Sequence, residues 1–222
     1  MLLAVDTSTK IIGVALYDGS RVLGETVWAS DDYHTVELAP AVTEIVARAG
    51  LQIKDIQALG VAIGPGSFTG LRIGLALVKG LALARRLPLI GIRTLDFLAA
   101  AQPIREEPLV AVLRVGRGRI AAGWYAARDG TWRPTGEIKI LTIEALAESI
   151  QTPTLVSGEM TAEDRQFLSR KRKQILLASP ALSLRRPSFL AELAWRRWTS
   201  GQVDDPVSLS PIYLQLKDPL VG

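Results

Sequence analysis

Cysteine is absent from the 222-residue chain, and histidine occurs once, at His34. Without cysteine the chain can form neither a disulfide framework nor a thiolate metal site. A single histidine excludes a pair of histidine metal ligands and leaves no Ser/His/Asp set to assemble. His34 and Glu37 could share a helix face, but a hydrogen bond at the helix start is the favoured interpretation of His34. We predict no catalytic residue, no metal site and no cofactor.

Long apolar runs are also missing. No stretch reaches the roughly 18 apolar residues that a membrane span needs. The apolar start of the chain ends at Asp6, which is too early for a signal peptide. With 48% hydrophobic and 22% charged residues, the chain is expected to fold around a core. These features predict a cytoplasmic protein with no membrane partner.

Short hydrophobic runs alternate with helical patterns along the whole chain. Over residues 2–101 the predicted order is three strands, a helix, a strand, a helix, a strand and a helix. The remainder predicts the same order again and includes a strand over 131–140. Pro103 and the acidic residues after it mark a boundary. We therefore predict an α/β protein of two βββαβαβα units, with lobes over 1–103 and 104–222 and a cleft between them.

Two loops could bind a phosphate in the predicted cleft. The first follows the first strand, where an aspartate and two hydroxyls could face a phosphate or its metal ion; an internal β-turn is an equally good interpretation. The second is glycine-rich and precedes a helix, where backbone N–H groups can hold an anion. It lacks the Gly-Lys-Ser/Thr end of a Walker A loop. The candidate nucleotide-binding residues are Asp6, Thr7, Ser8, Gly64, Gly66 and Ser67.

Two predicted helices of the first lobe carry more small and apolar surface than one core needs. The helix over 33–49 contains Pro40, and its apolar residues spread over more than one face. The helix over 70–86 carries glycine and alanine four residues apart, which lets another backbone approach closely. Packing on the lobe's own sheet is the alternative explanation. The predicted partner-binding residues are Val42, Ile45, Val46, Gly70, Gly74, Ala76 and Gly80.

The formal net charge is +4, and the excess of positive charge lies after residue 103. A basic run over residues 170–173 and the pairs Arg185-Arg186 and Arg196-Arg197 supply much of it. Such a run could meet a nucleic acid. A solvated surface is favoured, because no aromatic residues are interleaved with the basic ones. Any contact with RNA is therefore expected to be indirect.

Three segments resemble the TsaB (YeaZ) family: residues 3–9, residues 34–40 and, most specifically, residues 64–74. The resemblance implies the two-lobed actin-like/sugar-kinase-like (ASKHA) fold and a non-catalytic subunit that binds a TsaD-type catalytic protein. That partner transfers a threonylcarbamoyl group to N6 of adenosine 37 in tRNAs reading ANN codons. A TsaE-type ATPase would complete a ternary complex, and the tRNA would be contacted indirectly. Without its partner the chain would form a homodimer.

The first hairpin of the second lobe departs from the family. The family usually has an Asp-Ala-Arg…Gly-Glu-Val-Tyr segment there, whereas this chain has Arg114, Arg119 and Ala121 in place of its Asp, Glu and Tyr. The alternative function is a small ATP-dependent phosphotransferase of the sugar-kinase or acetate-kinase type, using Asp6 and the loop over 64–70. Such an enzyme would need a catalytic acid in this hairpin, where the sequence has arginines.

Overall fold

The computed structural model describes residues 1–30, 34–116, 118–171 and 173–214. Tyr33 at the predicted helix start and Arg172 of the basic run lie outside the described residues. No described helix is long and apolar enough to cross a bilayer. The helices and strands, in chain order, are β1 (Leu2–Asp6), β2 (Ile11–Tyr17), β3 (Val22–Ala29), α1 (His34–Arg48), β4 (Ala58–Ala62), α2 (Phe68–Arg85), β5 (Leu89–Ile92), α3 (Thr94–Ala100), β6 (Leu109–Gly116), β7 (Arg119–Arg128), β8 (Thr131–Pro134), β9 (Lys139–Leu141), α4 (Ile143–Ser149), β10 (Thr154–Gly158), α5 (Ala162–Ser169), β11 (Ile175–Leu177) and α6 (Pro187–Thr199).

Strand β1 lies at the centre of a five-stranded sheet with the order β3-β2-β1-β4-β5. It is antiparallel to β2 and parallel to β4. All five of its residues are buried, because helices α1 and α2 cover one face of the sheet and α6 covers the other. Since β1 and β4 are parallel, the loops that follow them emerge at the same edge of the sheet. This brings the two candidate phosphate loops together.

The second sheet repeats the first. Its order is β11-β10-β6-β7-β8, with β9 also paired to β7. Strand β6 takes the central place of β1, since it is antiparallel to β7 and parallel to β10. The predicted duplication of a βββαβαβα unit is therefore confirmed. The strand predicted over 131–140 is divided into β8 and β9, which pair with different parts of β7.

Helix α6 belongs to the second unit in sequence but packs on the first sheet. Its Leu190, Ala191 and Ala194 are fully buried against β1 and β4. The approach is close: a Cβ added at Gly60 of β4 would lie 2.9 Å from the Ala194 Cβ. The lobe boundary at residue 103 stays a prediction. A second lobe drawn over 104–222 contains a helix whose packing partner is the first sheet.

Candidate functional site

The loop after β1 is a tight internal turn. The Asp6 carboxylate accepts a hydrogen bond from the Ser8 backbone N–H at 2.9 Å, which closes the turn locally. The Ser8 hydroxyl lies 2.8 Å from that of Thr94 at the start of α3. Asp6, Thr7 and Ser8 are all buried. The β-turn interpretation therefore describes this loop, and its side chains serve the protein's interior.

The glycine-rich loop and the start of α2 pack directly on that turn. A Cβ at Gly66 would lie 2.3 Å from the Ser8 carbonyl oxygen, and one at Gly70 would lie 2.3 Å from the Thr7 carbonyl oxygen. The Ser67 N–H donates to the Ser8 carbonyl at 2.6 Å, and the Ser67 hydroxyl caps α2 by accepting from the Gly70 N–H at 3.2 Å. Glycine is needed at these positions because two backbones touch.

Arg185, in the segment before α6, fills the space beside the turn. Its side chain is 1% exposed. The Nε donates to Asp6 at 2.8 Å, Nη1 donates to Glu159 after β10, and Nη2 donates to the Thr9 hydroxyl at 2.9 Å and the Ile11 carbonyl at 2.6 Å. Burial alone would lower the pKa of Arg185, but the carboxylates of Asp6 and Glu159 outweigh it and raise the pKa. The guanidinium therefore stays charged and joins the two sheets.

The predicted nucleotide-binding residues are separated by this packing. A cavity of about 930 Å³ lies between the lobes, and Gly66 and Ser67 line it together with Thr9, His34, Arg114 and Tyr213. Asp6, Thr7 and Ser8 do not line it. Gly64 is buried, with its missing Cβ only 2.9 Å from the Ile212 carbonyl oxygen. Of the six residues, the structure therefore places only Gly66 and Ser67 at the cavity, and it pairs the Asp6 carboxylate with Arg185. Phosphate binding by these six residues stays a prediction.

His34 makes a hydrogen bond within the protein's own fold. Its ring is buried at the start of α1, and Nε2 lies 3.0 Å from the Thr9 carbonyl oxygen. A carbonyl only accepts, so Nε2 carries the proton and donates. The hydrogen bond joins α1 to the β1–β2 turn; the sequence predicted a local bond, and the bond made is a long-range one.

The predicted partner-binding residues divide into an inner and an outer set. Val42, Ile45 and Val46 of α1 are buried in the lobe's own core, which corrects their placement on a free surface. Gly70 and Gly74 of α2 face the Thr7 turn, so they too are internal. The reason is that α1 turns its widest apolar stripe to the sheet, and α2 lies close to β1.

Ala76 and Gly80 of α2 are exposed, and their role as a partner surface stays a prediction. A Cβ added at Gly80 would meet no atom within 4 Å. Leu83, on the same face, is 64% exposed. On the neighbouring α1, Val36 is 66% exposed. Ala39, Thr43 and Ala47, which are spaced four residues apart and so lie on one side of the helix, are exposed as well. We call this surface the outer helix face: Val36, Ala39, Thr43, Ala47, Ala76, Gly80 and Leu83.

The divergent hairpin of the second lobe is β6–β7. Arg114 donates to Asp164 of α5 at 2.6 Å, and Ala121 is buried opposite Leu113. The arginine therefore braces α5 against β6. In the position where an enzyme would need an acid, the structure has a cation already engaged by Asp164.

Arg185 is the residue that sequence reasoning missed. The sequence predicts a solvated surface for the pair Arg185-Arg186, but only Arg186 has that environment, since it lies half exposed beside Glu25. No local signal distinguishes the two arginines, because neither lies in a periodic segment. Only the three-dimensional positions of Asp6, at the end of β1, and of Glu159, directly after β10, identify the buried one.

Comparison with known proteins agrees with this fold. The family model described as "TsaD: tRNA N6-adenosine threonylcarbamoyltransferase" matches residues 22–177. The TsaB protein of Haemophilus influenzae, a "tRNA threonylcarbamoyladenosine biosynthesis protein", is 41% identical over 96% of this chain and 93% of its own. The solved structure of YeaZ from Pseudomonas aeruginosa superposes with a TM-score of 0.78 at 27% identity, covering 96% of this chain and 99% of that one.

A more distant structure shows the fold alone. The ROK hexokinase of Thermus thermophilus superposes with a TM-score of 0.50 at 15% identity, over 89% of this chain and 99% of that one. The predicted actin-like/sugar-kinase-like fold is therefore confirmed. The extent of the match to TsaB and YeaZ proteins, together with the family model, shows that the chain belongs to the TsaB (YeaZ) family.

Proposed function

We propose that this chain is a non-catalytic subunit in the biosynthesis of threonylcarbamoyladenosine in tRNA. It binds a TsaD-type catalytic protein and supports transfer of the threonylcarbamoyl group to N6 of adenosine 37 in tRNAs reading ANN codons. The names of its relatives support the pathway. The subunit role rests on the outer helix face, which consists of small and apolar residues. These residues are exposed, so packing inside the protein does not explain why they are small or apolar.

The geometry of that face fits helix-on-helix docking. Helix α2 is 18 residues long, or about 27 Å, and α1 runs beside it over the same core. Small side chains at Ala76 and Gly80 let a partner helix approach, while Leu83 and Val36 provide apolar anchors at the ends. A second copy of the chain could use the same face. Homodimer and heterodimer would then be mutually exclusive.

The cleft supports a role without chemistry of its own. Asp6 is held by Arg185, and the hairpin where a phosphotransferase needs an acid carries Arg114 paired with Asp164. A sugar-kinase or acetate-kinase activity therefore has no support in the site. A TsaE-type ATPase would join as the third component. Any tRNA contact would be secondary, through exposed basic residues such as Arg170, Lys171 and Lys173.

Placing a charge on the outer helix face tests the docking proposal. Ala76→Glu and Gly80→Glu should leave the melting temperature within about 3 °C of wild type, because both sites are exposed helix positions. Each should weaken heterodimer formation with the TsaD-type protein by about 100-fold or more, since an unpaired charge would be buried in the interface. The matched control is Ala162→Glu, an exposed alanine at the start of α5 in the second lobe.

Analytical ultracentrifugation with the purified catalytic protein measures the binding. Folded glutamate variants that bind as tightly as Ala162→Glu would place the interface elsewhere. Nucleoside analysis of tRNA from a depleted strain tests the pathway separately: the modified adenosine should disappear and return with Ala162→Glu but not with Gly80→Glu. An unchanged level of modification after depletion would remove the assignment itself.

A further inference from the structure

Among the residues that the structure describes, Arg185 has the largest fully buried side chain, although it is a cation. Its partners come from three separate segments: Asp6 at the end of β1, Thr9 and Ile11 at the start of β2, and Glu159 after β10. The first two segments belong to the first sheet and the third to the second sheet. A single side chain therefore joins the two sheets of the duplicated fold.

The chemistry around Arg185 is that of a cation site. Two carboxylates, one hydroxyl and one backbone carbonyl direct their oxygens at the guanidinium. Magnesium and manganese ions prefer the same set of hard oxygen donors. Arg185 is the cationic partner of both carboxylates, of which Asp6 is 3% exposed and Glu159 18% exposed. Removing it leaves them uncompensated, and a divalent ion would restore neutrality.

We propose that Arg185 is a built-in cation: it occupies the place of a divalent metal ion between Asp6 and Glu159, excludes metal from the cleft and latches the two sheets together. The proposal is independent of the outer helix face. On this proposal the Asp6 carboxylate, which accepts from the Arg185 Nε at 2.8 Å, is not available to a metal-bound nucleotide. The proposal also gives a reason why an arginine is buried here: its side chain pairs with both carboxylates, as a bound metal ion would.

The matched pair Arg185→Met and Arg186→Met tests the proposal. The two residues are adjacent and each is paired with a carboxylate, but Arg186 is half exposed. Arg185→Met should melt about 10 °C below wild type, because it leaves buried carboxylates unpaired. Adding 5 mM Mn²⁺ should raise its melting temperature by about 5 °C. Wild type and Arg186→Met should not respond to the ion.

Further measurements make each outcome decisive. Electron paramagnetic resonance should detect bound Mn²⁺ in Arg185→Met, and adding Asp6→Asn to that variant should abolish the signal. Amide hydrogen exchange over residues 6–9 and 158–160 should be faster in metal-free Arg185→Met and slow again with Mn²⁺. If Arg185→Met does not fold alone, refolding with Mn²⁺ should recover it. An Arg185→Met protein as stable as Arg186→Met, or one that neither binds nor is stabilised by Mn²⁺, would overturn the proposal.

Discussion

Replacing Gly74 of α2 by alanine should destabilise the protein, whereas the same change at Gly80, further along the same helix, should stabilise it. Alanine is favoured over glycine inside a helix by about 1 kcal/mol, and both sites gain this amount. At Gly80 the new methyl group meets no atom within 4 Å. The gain is therefore realised there in full, as a rise in melting temperature of about 2–4 °C for a chain of this size.

At Gly74 the gain is outweighed. The new Cβ would lie 2.2 Å from the Thr7 hydroxyl oxygen and 3.3 Å from the Thr7 Cβ. Thr7 is fully buried in the turn after β1, so it has no free space to move into. Forcing an extra methyl into such packing costs about 3 kcal/mol, at the upper end of the usual range. The net loss is then about 2 kcal/mol, or a fall of about 4–8 °C.

A double-mutant cycle isolates the contact. The Thr7 hydroxyl has no hydrogen-bond partner among the described residues, so Thr7→Ala should change stability little. Adding Thr7→Ala to Gly74→Ala should recover more than 1 kcal/mol, whereas adding it to Gly80→Ala should give additive effects. Urea unfolding followed by circular dichroism measures all of these variants. The reasoning is refuted if Gly74→Ala is as stable as Gly80→Ala, or if the cycle shows no coupling with Thr7.

Two predictions concern pH. Burial alone would raise the pKa of Glu25, but hydrogen bonds from Arg186 and Ser188 lower it below its ordinary 4.5. The stability that Glu25 contributes is therefore present above pH 4.5 and lost as the pH falls. Acid unfolding of Glu25→Gln should lack this pH-dependent loss, and an acid profile unchanged from wild type would contradict the prediction. Burial raises the pKa of Asp96 above its ordinary 3.8, although the Tyr125 hydroxyl donates to it at 2.8 Å. The charged form of Asp96 therefore lowers the stability of the folded protein as the pH rises above 3.8. Asp96→Asn should remove this loss of stability and be at least as stable as wild type at pH 7. A variant less stable than wild type at pH 7 would show that the charge is needed.

The sequence by itself determined the order of the elements and their duplication. Each strand is a short apolar run between turn residues, and each long helix carries its own periodic pattern, so these signals are local. Segment 64–74 is also specific enough to indicate the family from sequence alone. What this segment could not indicate was its use. Glycine shows that something approaches closely, but not whether a phosphate or another backbone does.

Tertiary structure decided the rest, because those questions depend on contacts between distant residues. Helix α2 has small and apolar residues around much of its circumference, so its pattern does not define which side faces the sheet. Packing turned Gly74 inward to Thr7 and left Gly80 outside. In the same way, adjacent arginines are equivalent in sequence. The fold brings Asp6 and Glu159, more than 150 residues apart in the chain, to the same side chain, and this makes Arg185 the buried arginine. Its neighbour Arg186 stays half exposed.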